Sequence, residues 1–97
     1  MARVEVSRVA ADDLARLCLT HSLPSDTNER IRRSLWSLRQ FPRLGTALEG
    51  ADWAGFRFVL GQWRWMVIVY EIIDDDDRVV VVTVQDGRSS TAAKTSR

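Results

Sequence analysis

The sequence predicts an α+β fold: an N-terminal strand, a two-helix hairpin, then a three-stranded antiparallel meander with the helices packed on one sheet face. Three observations carry this. The stretch from Trp53 to Gln85, WAGFRFVLGQWRWMVIVYEIIDDDDRVVVVTVQ, is rich in Val, Ile, Phe, Trp and Tyr and is punctuated twice, at Gly61-Gln62 and at Asp74-Asp75-Asp76-Asp77. Ahead of it lie two segments with apolar residues at helical spacing, bounded by Pro24 and Pro42. Before those, Arg3 to Ser7 alternates as a short strand suited to a sheet edge.

The first helix is expected from about Val9, where Leu14, Leu17, Cys18 and His21 fall at i, i+3, i+4 and i+7. Ser7 is placed to cap its start and Pro24 to mark its end. His21, the one histidine, sits on the apolar side near the C-terminus and reads as a packing and dipole residue. Cys18 reads as a small buried hydrophobe. The second helix opens at Ser25 or Asp26, with Asp26 and Glu29 at capping-box spacing, and stops at Pro42. Its buried stripe is Ile31, Leu35, Leu38 and Phe41; Arg30, Arg32, Arg33 and Arg39 project elsewhere and read as a solvated face. Pro42 to Asp52 is a loop.

In the meander, a two-residue turn at Gly61-Gln62 pairs Leu60 with Trp63, Phe58 with Trp65 and Arg57 with Met66. The aspartate turn pairs Ile73 with Arg78, Tyr70 with Val81, Ile68 with Thr83 and Met66 with Gln85. Cross-strand partners share a face. One face then carries Phe56, Phe58, Leu60, Trp63, Trp65, Val67, Val69, Val80, Val82 and Val84, wholly apolar, and is expected to form the core. The opposite face carries Arg57, Arg64, Tyr70, Thr83 and Gln85 among Val59, Met66, Ile68 and Val81, and is expected to be the open, functional one. A one-residue slip at either turn would exchange these faces.

Composition narrows the function classes. The 97 residues suffice for one domain, expected over 1–88, with a polar tail over 89–97. A net charge of +1 excludes nucleic-acid binding by bulk electrostatics and leaves only local clusters. A single cysteine permits no disulfide within the chain and suits a reducing compartment. No apolar run reaches the roughly 18 residues of a membrane span, so a cytoplasmic location and no membrane partner are expected. No phosphate-binding glycine loop, zinc spacing or Ser-His-Asp set is present, and no cofactor or metal is expected. Four consecutive aspartates point in different directions and read as a solvated turn that discourages sheet-edge association, not as a calcium loop.

Read in order, an early strand, Ala11, Asp13 and Leu14, then Pro42-Arg43-Leu44-Gly45 with Leu48 and Gly50, then Arg57, Gly61, Trp63 and Arg64, then Tyr70-Glu71-Ile72 and a Val-rich strand ending near Arg88, the chain resembles the RelE/ParE superfamily of bacterial type II toxin–antitoxin toxins. The likeness covers nearly all of Val4 to Arg88. It departs in having five residues between Arg64 and Tyr70 where the family usually has two, and in lacking an aromatic residue near the C-terminus.

The resemblance implies a toxin held inactive by a cognate antitoxin. It also implies one of two mechanisms, cleavage of mRNA on the ribosome as a metal-independent endoribonuclease, or inhibition of DNA gyrase without catalysis. A catalytically silent binding module of the same fold is a third alternative. For RNA cleavage the expected catalytic set is Arg57, Arg64 and Arg88 at the phosphate with Tyr70 beside them, and Trp53 and Gln85 contact RNA. Arg57 and Arg64 are expected to converge on one phosphate, unless they pair with carboxylates such as Glu71 or Asp86. The arginines supply no base; Asp86 or His21 would have to be brought in by tertiary structure. Val59, Met66, Ile68 and Val81 are the expected antitoxin-binding groove, apolar in its body and charged at its margin.

Overall fold

The computed structural model describes residues 2–88; the tail expected over 89–97 lies outside the described residues. Strand β1 (Arg3–Val6) leads into helices α1 (Arg8–Thr20) and α2 (Thr27–Gln40). A 3-10 turn at Pro42–Leu44, strand β2 (Thr46–Ala47) and a second 3-10 turn at Ala51–Trp53 follow, and β3 (Phe56–Leu60), β4 (Met66–Ile73) and β5 (Arg78–Asp86) complete the chain. The sheet has five strands in the order β1-β5-β4-β3-β2. β1 joins β5 in parallel and the other pairs are antiparallel. The expected element types and order are present, with β2 added as a short outer strand.

Local chemistry accounts for the helix boundaries. The Ser7 hydroxyl accepts the Ala10 N–H at 3.1 Å and donates to the Val82 carbonyl at 3.2 Å, so one side chain caps α1 and ties it to β5. α2 starts where expected but without a capping box. Asp26 instead accepts Arg30 Nε at 2.9 Å and Glu29 accepts Arg33 at 3.3 Å, i,i+4 pairs that take the carboxylates away from the backbone. Arg39 lies 4.4 Å over the Trp36 ring. Phe41, expected in the buried stripe, falls past the last turn and is exposed.

One connection and one strand pairing in the sheet differ from expectation. β3 and β4 are joined by five residues, Gly61 to Trp65, and Leu60 pairs with Val67 rather than Trp63. The Gly61 N–H donates to the Met66 carbonyl at 2.9 Å and the Met66 N–H to the Trp63 carbonyl at 3.0 Å, which closes a wider turn. Trp63 and Trp65 therefore stand in the turn and pack at the margin of the core. Phe58 meets Val69, four residues from its expected partner Trp65, and an even shift leaves the sharing of faces intact. The aspartate turn has the expected register, with Asp74, Asp75 and Asp76 in left-handed conformation at φ 54, 54 and 70°. Beyond Tyr70–Val81 a β-bulge intervenes, and Ile68 pairs with Val84 and Met66 with Asp86, one residue on from expectation.

The larger correction concerns which face is covered. Ile31, Leu35 and Leu38 of α2 and Ala10 of α1 pack over Met66, Ile68, Tyr70, Val79, Val81 and Val84. Met66, Ile68 and Tyr70 have no exposed surface, Val81 is 1% exposed, and Val59 packs half-buried against them. The residues expected to line an open antitoxin groove are core. The face expected to be core, with Phe56, Phe58, Val67, Val69 and Val80, is the one the helices leave bare, and all but Val69 are half-buried; Val84, expected with them, lies beyond the bulge opposite Ile68 and is core. Both faces are apolar along the middle of the sheet, and the greater apolar purity of the Phe56–Phe58 face does not make it the covered one. The face that takes Tyr70 inside is the one where a loop satisfies its hydroxyl.

Candidate functional site

Tyr70 and Arg57, neighbours across β3 and β4, hold that loop. The Tyr70 hydroxyl donates to the Pro42 carbonyl at 2.7 Å and accepts the Gly45 N–H at 2.9 Å. Arg57 Nη1 donates to the Gly45 carbonyl at 2.7 Å and to the Arg43 carbonyl at 3.3 Å. Arg43 in turn makes a two-pronged pair with Asp76, both contacts at 3.0 Å. Burial pushes the Tyr70 phenol up, with the Gly45 N–H and Arg57 opposing, so the hydroxyl stays protonated at neutral pH. The Tyr70 hydroxyl and Arg57 Nη1 both work on the backbone between Pro42 and Gly45. Their role is to clamp the loop over the core.

Arg64 is far from this clamp. It stands exposed in the β3–β4 turn, and four strand residues, about 13 Å, separate Tyr70 from Met66 at the near end of β4. The expected convergence of Arg57 and Arg64 on one phosphate does not occur. Trp53 is likewise at the clamp end, edge-on to Phe56 with ring centroids 5.4 Å apart.

At Arg64's end of the sheet a second cluster forms. The His21 ring, at the end of α1, stacks on Trp65 at 4.4 Å and 15°, and Trp65 stacks on Trp63 at 5.9 Å and 19°. His21 Nε2 lies 2.9 Å from Asp86 Oδ2 and His21 Nδ1 lies 2.8 Å from Thr20 Oγ1. Arg88 grips both oxygens of Asp86, at 3.1 and 3.0 Å, and its guanidinium lies 5.4 Å over Trp65. The turn after β5 is fixed by the Gly87 N–H donating to the Trp65 carbonyl. Arg88, chiefly through its side-chain hydrogen bonds, holds the Asp86 carboxyl well below the usual carboxylate range. A cleft of about 300 Å³ opens beside Asp86, with Gln85, Asp13 and Arg16 in its walls.

Of the expected residues, this end of the sheet brings together Arg64, Arg88 and Gln85; Arg57, Tyr70 and Trp53 belong to the other end. His21 and Asp86 come into contact across 65 residues of chain. Helical periodicity assigned His21 an apolar position, and of that stripe Leu14 and Leu17 pack against the core while His21 meets Trp65 and Asp86. The signal that could have marked its partner was the polar pair Gln85-Asp86 closing a Val-rich strand. Among the described residues no group of three or more His, Cys, Asp or Glu side chains is placed to hold a metal ion, and no helix is long and apolar enough to cross a membrane.

Comparison with known proteins follows the same lines. The fold is similar to that of an arginine-to-alanine double variant of E. coli toxin RelE in complex with an antitoxin RelB peptide, with a TM-score of 0.66, 18% identity, and 96% of this chain and 90% of that one covered. It is equally similar to a chain of the intact E. coli RelBE toxin-antitoxin complex, TM-score 0.66, 17% identity, covering 92% of this chain and 100% of that one. A chain from the chromosomal ParDE toxin-antitoxin system of P. aeruginosa matches with TM-score 0.66 and 13% identity over 89% of this chain and 96% of that one. No functionally curated protein matches the sequence. Residues 4–90 match the family model for the ParE toxin of the type II toxin-antitoxin system, parDE. The chain belongs to that family, and is a toxin of a type II toxin–antitoxin system within the RelE/ParE superfamily.

Proposed function

We propose that the protein is a cytoplasmic toxin that cleaves mRNA at the end of the sheet formed by Trp63, Arg64, Trp65 and Arg88, and that a cognate antitoxin neutralises it. The observation that carries this reading is the coincidence there of stacked indoles with two exposed guanidinium groups. Single-stranded RNA is recognised by this combination, aromatic groups for the bases and cations for the phosphates. Gln85 lies on the wall of the adjoining cleft, and in this reading it contacts a base edge or ribose hydroxyl. The bare sheet face around Phe56, Phe58, Val67 and Val80 has the apolar body and charged margin of a protein interface, with Glu5, Glu71 and Arg78 at its border. It is the surface we assign to the antitoxin in place of the buried Val59, Met66, Ile68 and Val81.

A second reading, inhibition of DNA gyrase without catalysis, draws on two observations. The matching family model is that of a ParE toxin, and Arg57 and Tyr70 are committed to the Pro42–Gly45 loop. One experiment separates the two: purified protein is added to a translating extract and, in parallel, to a DNA gyrase supercoiling reaction. The RNA reading expects cut transcripts, protection by co-expressed antitoxin, and unimpaired supercoiling. Intact transcripts with blocked supercoiling would replace it with the gyrase reading.

A further inference from the structure

We propose, resting on the RNA-cleavage reading, that His21 is the general base that removes the 2′-hydroxyl proton of the substrate ribose, with Asp86 as its positioning residue. Thr20, His21 and Asp86 form a line of hydroxyl, imidazole and carboxylate with contacts of 2.8 and 2.9 Å. When Nε2 carries the proton and donates it to Asp86, Nδ1 is an acceptor, and what it accepts is an alcohol proton. An imidazole oriented by a carboxylate on one nitrogen and facing an alcohol on the other is arranged for proton abstraction from that alcohol. The Thr20 hydroxyl occupies the position the ribose 2′-hydroxyl would take, and Thr20 is exposed, so its side chain can turn aside.

The ring itself is held. Trp65 stacks on it and Asp86 fixes its rotation, while Arg88 occupies the remaining lone pairs of the same carboxylate and keeps it ionised. The charged groups around His21 are Asp86, which contacts the ring, and Arg88, which grips Asp86, with Asp13 and Arg16 of α1 in the cleft beside Asp86. In the reaction, the proton of the 2′-hydroxyl passes to Nδ1 and the 2′-oxygen bonds to the adjacent phosphorus. The bond from phosphorus to the 5′-oxygen then breaks. The leaving oxygen takes a proton from water and the imidazolium returns its own to solvent, so RNA becomes a 2′,3′-cyclic phosphate and a 5′-hydroxyl with no water consumed. The arrangement calls for no oxidant, metal or cofactor.

The test is the pH profile of transcript cleavage by the wild-type protein and by His21→Gln, with circular dichroism establishing that the variant is folded. The wild-type rate should fall as the assay is taken from about pH 8 to about pH 5, because a general base is inactive once protonated. His21→Gln should be slower by about a hundredfold at neutral pH and should lose that acid limb. End analysis should find cyclic phosphate on the upstream fragment. A wild-type profile flat over that range, or a folded His21→Gln that cleaves at the wild-type rate, overturns the assignment of the base while leaving RNA cleavage in place. A wild-type protein that cuts no transcript overturns both.

Discussion

Gly45→Ala is expected to lower stability by about 3 kcal/mol and to drop the thermal midpoint by roughly 12–24 °C. Gly45 is buried, and a β-carbon built on it falls 2.5 Å from the Phe58 carbonyl and 2.7 Å from the Tyr70 hydroxyl. Neither neighbour yields cheaply. The carbonyl belongs to the β3 backbone, and the hydroxyl is held between Pro42 and Gly45 in a side chain with no exposed surface. At φ −76° the glycine is not required for its conformation; it is required for space. Relief demands that the loop lift away, and lifting breaks the Tyr70 and Arg57 hydrogen bonds together. Thermal unfolding followed by circular dichroism checks this, and a midpoint within a few degrees of wild type would mean that the loop is not clamped.

The covered face is tested by two adjacent valine- and isoleucine-bearing positions of β4. Ile68→Ala should cost about 3 kcal/mol, as a large-to-small change beneath both helices. Val67→Ala, one residue earlier and on the bare face, should cost about 1 kcal/mol. Chemical denaturation of the two variants gives the comparison directly, and equal losses, or the reverse order, would return the helices to the other face.

The Asp86–Arg88 pair adds a pH dependence of known sign. The folded state lowers the Asp86 pKa, so the unfolded chain binds the proton more readily. The pair's contribution is in place at neutral pH and is lost as the pH falls below the ordinary aspartate value of about 3.9.

Element types were legible because their signals are local: Ser7 as a cap, Pro24 and Pro42 as stops, and β-branched runs broken by turn residues. The aspartate turn even set the register of Ile73 with Arg78. The sheet faces were not legible. The longer turn at Gly61 shifts the pairing by an even number of residues and leaves the faces alone, whereas the bulge beside Tyr70 shifts the end of β5 by one residue and leaves no compositional mark. Apolar purity favoured the Phe56–Phe58 face as core, and what outweighed it was one phenol with a long-range partner at Pro42–Gly45. The candidate site was half legible for a related reason. Arg64 and Arg88 announce themselves as charges near turns, whereas the meeting of His21 with Asp86 and Trp65 depends on how α1 lies across β5.

The account's central claim is a division of labour between the ends of the sheet, with Arg57 structural and Arg64 functional. Arg57→Ala and Arg64→Ala, compared at matched soluble protein level for growth inhibition in bacteria and for denaturant midpoint, test it most directly. Arg57→Ala should lose roughly 1–3 kcal/mol of stability and keep its toxicity. Arg64→Ala should hold its stability to within about 0.5 kcal/mol and lose toxicity by about a hundredfold. An Arg57→Ala protein of full stability that no longer inhibits growth, beside a fully toxic Arg64→Ala, would contradict the account and move the functional site to the clamp.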